Sequence, residues 1–220
     1  MIIVVGLKID DLKSWKRLSC LIAVIGTLQM IVLSLIAMLI YPDGYSFTEH
    51  YFSHLGLTRT PNGLDNTVCQ ILFIIALVSA AIGLIPFWIV MTTIFSELKG
   101  IKYLSYFGSI LGLISSPFLI GVAIFPGDTQ GALHSMSARN FFLLFAVAIL
   151  VYSIAIFFNK DYQNIYAIVG IIFSIIIVLF IFRFFSDINP IMQKTIIYCF
   201  CLWGALQITK IWKEVGIQND

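Results

Sequence analysis

The sequence predicts an all-α, polytopic membrane protein: six transmembrane helices in one bundle. Three observations carry that prediction. Hydrophobic residues make up 60% of the 220-residue chain and charged ones 11%, against about 45–50% and about 25% in soluble domains. Mean hydropathy is +1.01, too apolar for one small core to hide from water. The apolar residues also fall into six runs, each long enough to cross roughly 30 Å of hydrocarbon as a helix of about 20 residues.

In chain order the expected spans are 18–41, 68–95, 102–125, 136–158, 164–184 and 190–211, within a single domain covering 1–220. Backbone amides in lipid must be satisfied within the segment, which makes each span a helix. The N-terminal MIIVVG is too short for a signal-peptide core, so no cleavage is expected. Pro86 in the second span and Pro117 in the third, beside Ser115 and Ser116, mark positions for kinks. Short charged or turn-forming links (SELKGIK, FPGDTQGALH, NKDYQN, FSDINP) separate the later spans. Cys20, Cys69, Cys199 and Cys201 all sit in apolar runs and read as small buried residues, not as a disulfide framework. Nothing in the chain suggests nucleic-acid binding.

Orientation follows from the basic residues. Lys8, Lys13, Lys16, Arg17, Lys99, Lys102, Lys160, Lys210 and Lys213 fall on one side, and Arg59, Arg139, Arg183 and Lys194 on the other. The positive-inside bias then places both termini in the cytoplasm of a multi-pass cell-membrane protein. Asp43, Glu49, Asp65, Asp128 and Asp187 are all extracytoplasmic in that arrangement.

The long first outer loop, 42–67, holds most of the candidate chemistry. Its TEHYFSHLG stretch spaces His50 and His54 four apart, with Glu49 and Ser53 beside them. A helix over Ser46 to Leu55 would put both histidines on one face. Phe47, Tyr51 and Leu55 would form an apolar stripe on the other, as in a short amphipathic helix capping the bundle. The second outer loop adds Asp128, His134 and Arg139, so all three histidines share one side of the membrane. Arg183, in the apolar IFRFF, either snorkels outward or turns inward to hold a carboxylate or a lipid phosphate. Lys194 and Gln193 stand at the same level.

Two readings of this face differ in chemistry. In the first, Glu49, His50, Ser53, His54, Asp65, Asp128, His134, Arg139 and Arg183 line a polar pocket for a membrane lipid, small ligand or partner, with no cofactor expected. In the second, His50, His54 and His134 supply three zinc ligands to a membrane hydrolase or transferase acting on lipid. A bare His-x-x-x-His lacks the internal glutamate that marks zinc proteases, so the histidines alone do not make an enzyme. A small-solute transporter is the weakest reading, because the spans carry few intramembrane charges and no visible repeat. The abundant phenylalanines read as core or lipid-facing filler.

YSFTEHYFSHLGLTRTPNGLDNTVCQILF, followed by GSILGLISSPFLIGVAIFPGDTQGALHSMSARNFF, resembles a six-helix membrane family catalogued as a domain of unknown function. That family is similar to the DRAM/Sfk-like membrane proteins. The resemblance rests on Ser53, Leu55 and Gly56, on Asn62 and Gly63, on Phe125 and Pro126, and on His134. His54 stands where that family usually has an acidic residue. The resemblance implies a lipid-associated role and supplies no reaction. A looser similarity to ceramidase-type and adiponectin-receptor-type hydrolases is one of spacing only, since those have seven helices and a late histidine pair.

Overall fold

A computed structural model describes residues 9–95, 99–160 and 162–217. Lys8, part of the orientation argument, and residues 96–98 of the second link lie outside the described residues. The architecture is all-α. Its helices are α1 (Ile9–Leu39), α2 (Thr67–Met91), α3 (Lys99–Ile124), α4 (Gly131–Phe157), α5 (Asn164–Ile181) and α6 (Asn189–Ile217). Each is long and apolar enough to cross a membrane, and the chain is a multi-pass membrane protein.

Sequence neighbours pack in succession from α1 to α5, and α6 closes the ring between α5 and α1. Short links dictate that order, since a few residues can only return the chain antiparallel beside its predecessor. The closure at α6 is far sparser than the other seams. Pro86 and Pro117 both lie inside helices that run through them. Ser115 and Ser116 turn their hydroxyls back onto the carbonyl of Gly112. Leu18, Ile25, Leu28, Ile71, Ile82, Ile114, Ile172 and Ile175 are exposed on the outside. In water this apolar belt would be intolerable, whereas in a bilayer it meets acyl chains.

The first loop folds back onto the bundle. Phe52 and Leu55 are buried, and the Phe52 ring packs on Phe73 of α2, centroids 5.6 Å apart. A short helix is present, but as a five-residue 3-10 segment, Phe52–Gly56, not a ten-residue α-helix. The cause is competition for carbonyls. Tyr45 donates its hydroxyl to the carbonyls of His50 and Tyr51, and Lys194 donates its ammonium to that of His50. Tyr51 is extended (φ −65°, ψ 151°), so the helix cannot run through it. The expected Phe47–Tyr51–Leu55 stripe is split: Phe47 is exposed and Leu55 fully buried.

Candidate functional site

Asn66 and Asp128 hold the loop that shapes the site. The Asn66 side chain points back under the loop, where its amide donates to the carbonyls of Leu57 (2.9 Å) and Leu55 (3.2 Å), with His54 at 3.4 Å. Asp65 performs the helix-start role instead, accepting from the Thr67 hydroxyl at 2.9 Å and from its backbone N–H at 3.4 Å. Asp128, from the loop between α3 and α4, accepts from the Thr58 backbone N–H (3.0 Å), the Thr58 hydroxyl and the Arg59 N–H (3.1 Å). Partial burial alone would raise its pKa, but these bonds outweigh that and leave it lowered. Two loops 70 residues apart are thereby fastened into one cap.

Beneath the cap the aromatic residues form a cluster. His50 lies 5.4 Å from Tyr41, 5.4 Å from Tyr45 and 5.6 Å from His54, and Tyr51 lies 5.4 Å from His54, all between ring centroids. The Ser46 N–H donates to His50 Nδ1 at 3.0 Å, which puts the proton of the neutral ring on Nε2. His54 is pressed into this cluster, and its Nδ1 is buried without a partner. Burial first, then the charges of His50, Lys194 and His134, hold its pKa down at about 4. Lys194 is fully buried. Besides the His50 carbonyl, its ammonium faces the rings of Tyr45 (5.4 Å) and Phe47 (4.9 Å).

His50 and His54 thus pack against each other, and His134 stands at the same end of the bundle, near enough for its charge to act on His54. Yet no three His, Cys, Asp or Glu side chains among the described residues form a group that could hold a metal ion. His134 sits one turn into α4, where its Nδ1–H donates to the Phe125 carbonyl at 2.8 Å.

Below the cap, running into the bundle, is a narrow cavity of about 100 Å³. Its wall comes from α1, α2, α3, α4 and α6, and is almost wholly apolar. Phe73, Phe87, Phe141, Phe142, Phe145 and Phe200 are prominent in it. Ser53, His134 and Gln193 supply its polar groups at the loop end. Along α6 the wall runs from Gln193 to Ile208, about 22 Å at 1.5 Å per residue. That is most of the roughly 30 Å of a hydrocarbon core.

Of the nine residues the sequence nominated, Ser53 and His134 line this cavity, and His50 and His54 pack beside it in the aromatic cluster. Glu49, Asp65, Asp128, Arg139 and Arg183 are exposed and stand outside its wall. Arg183 ends α5 in the left-handed conformation (φ 56°), with the Phe184 N–H reaching back to the Leu179 carbonyl. That is the helix-ending position usually given to glycine. Sequence reasoning missed Asn66, although an Asn-Thr pair opening an apolar run is a helix-start signal. It also missed the phenylalanine wall, for which the sequence offers no local signal.

The chain belongs to the family described as Protein of unknown function (DUF998), whose model matches residues 24–207. No curated protein and no solved structure matches it.

Proposed function

We propose, from a family membership that assigns no activity, that this chain binds a long-chain membrane amphiphile inside the bundle. The acyl or prenyl chain occupies the apolar cavity, and the polar head lies at Ser53, His134 and Gln193. The observation that carries the reading is the cavity itself: largely apolar for about 22 Å, with Ser53, His134 and Gln193 at one end and only Thr27 and Cys201 deeper in its wall. Ligand sites are mostly apolar with a few convergent polar groups, which is the same division. The resemblance to the DRAM/Sfk-like proteins, a group linked to lipid remodelling and asymmetry, supports the same chemistry. The lysine and arginine distribution supports a head exposed toward the extracytoplasmic face of the cell membrane.

A photoreactive, clickable long-chain alcohol in vesicles tests this. Crosslinks are expected on cavity-wall residues of α4 and α6, such as Ala138, Phe141 and Gly204. Labelling confined to outward residues such as Leu150, Ile172 and Leu202 would overturn it.

A further inference from the structure

Resting on that reading, we infer that the head of the bound amphiphile is uncharged and carries both a hydrogen-bond donor and an acceptor, as a hydroxyl, glycerol ester or amide does. The described lining contains no Asp, Glu, Lys or Arg. What it offers is a matched neutral set. The Phe125 carbonyl takes the Nδ1 hydrogen of His134, so the neutral ring presents Nε2 as an acceptor. The Ser53 backbone N–H donates to Gln193 Oε1 at 3.4 Å, which leaves the Gln193 amide hydrogens as donors and the Ser53 hydroxyl as either.

The nearest fixed cation is the one that could have changed this. Lys194 follows Gln193 directly, and its ammonium turns away from the cavity. It is spent on the His50 carbonyl and the faces of Tyr45 and Phe47. A phosphate or carboxylate at the polar end would thus lose hydration without gaining a lysine or arginine partner, and an unpaired charge is costly there. A neutral head can satisfy its donor and its acceptor at once. The one hydroxyl deeper in the wall, that of Thr27, already donates to the Ala23 carbonyl at 2.9 Å.

The test is competition, in nanodiscs holding the full chain, against the crosslinking alcohol described above. The competitors are monooleoylglycerol, oleate at pH 8 and lysophosphatidylglycerol. Monooleoylglycerol is expected to compete at least about tenfold better than either anion, a preference worth about 1.4 kcal/mol. Gln193→Leu, which keeps side-chain size, and His134→Ala should each shrink that preference at least about threefold. If the anions compete equally or better while the wall is still labelled, the head assignment fails and the cavity reading survives. An unchanged preference in both variants would overturn the roles given to His134 and Gln193. If the wall is never labelled, the cavity reading fails and the head assignment falls with it.

Discussion

Two kinds of seam hold this bundle, one built on glycine and one on large rings, and the difference explains where the cavity is. Along α1 and α2, Gly26 and Gly83 face each other, with Ala23 and Ala80 beside them. A Cβ added at Gly26 would stand 3.0 Å from the Ser79 carbonyl oxygen and one at Gly83 3.3 Å from that of Ile22. Between α2 and α3, a Cβ at Gly112 would fall 2.2 Å from the Trp88 ring. Small residues let α1 and α2 approach until backbones touch, the usual way to gain packing energy in lipid, and at Gly112 the missing side chain seats the Trp88 ring. The seam at α6 is made instead by large rings. Phe200 lies among Phe145 (4.2 Å), Phe173 (5.2 Å) and Phe141 (5.8 Å), and Trp203 stands 6.2 Å from both Phe87 and Trp88. Rings act as spacers. They hold α6 in place at a distance, and a Cβ at Gly204 would meet nothing within 4 Å. Tight seams give the bundle its stability, and the spaced seam leaves room for a guest.

Breaking a tight seam should have the largest effect. Gly112→Ala drives a methyl into Trp88, which Phe87, Phe145 and Tyr152 confine at 5.0, 5.2 and 5.9 Å. The ring has no room to yield, so a loss of about 3 kcal/mol is expected, the upper end for overpacking. Unfolding in mixed micelles measures it, and a neutral outcome would mean the seam is looser than described. Next comes the cap. Asn66→Ala strips donors from the buried carbonyls beneath the first loop, costing about 2 kcal/mol. Hydrogen exchange should rise over residues 52–66 and stay unchanged in α4 and α5.

Acid should act on the cap more weakly. The folded pKa of His54 is about 4 against 6.5 ordinarily, so the unfolded chain binds the proton more readily. Stability is then full above pH 6.5, falls as the pH drops from 6.5 toward 4, and levels off below that. In thermal melts, His54→Gln should flatten part of this slope, and an identical slope in the variant would refute the assignment. The smallest effect belongs to the spaced seam. Gly204→Ala should be neutral or stabilising by up to about 1 kcal/mol, since it adds helix propensity and meets no neighbour. Any clear loss of stability would show that α6 sits closer than its rings imply.

Much of the fold was legible because lipid and water demand different residues, and hydropathy marks where the chain passes between them. The loop's turn at Asn62 and Gly63 was equally readable, with Gly63 at φ 87°. That His50, His54 and His134 share one end of the bundle followed from counting spans. The α-helix expected over Ser46 to Leu55 failed because Tyr45 and Lys194, one of them 144 residues away from its target, capture the carbonyls that helix needs. Spacing of side chains carries no record of that competition. The cavity was invisible for a deeper reason. A phenylalanine facing acyl chains and one facing an apolar cavity meet nearly the same solvent, so no periodic polarity distinguishes inside from outside.

On the proposed reading, the space beside α6 holds a molecule drawn from the membrane. Native mass spectrometry of the gently solubilised protein tests it most directly, comparing the wild type with Gly204→Phe, whose ring enters the open space at Gly204. A one-to-one lipid-sized adduct is expected on the wild type and lost from a variant of equal or greater thermal stability. A wild type free of adduct, or a variant that keeps it undiminished, would mean that this space holds no such molecule.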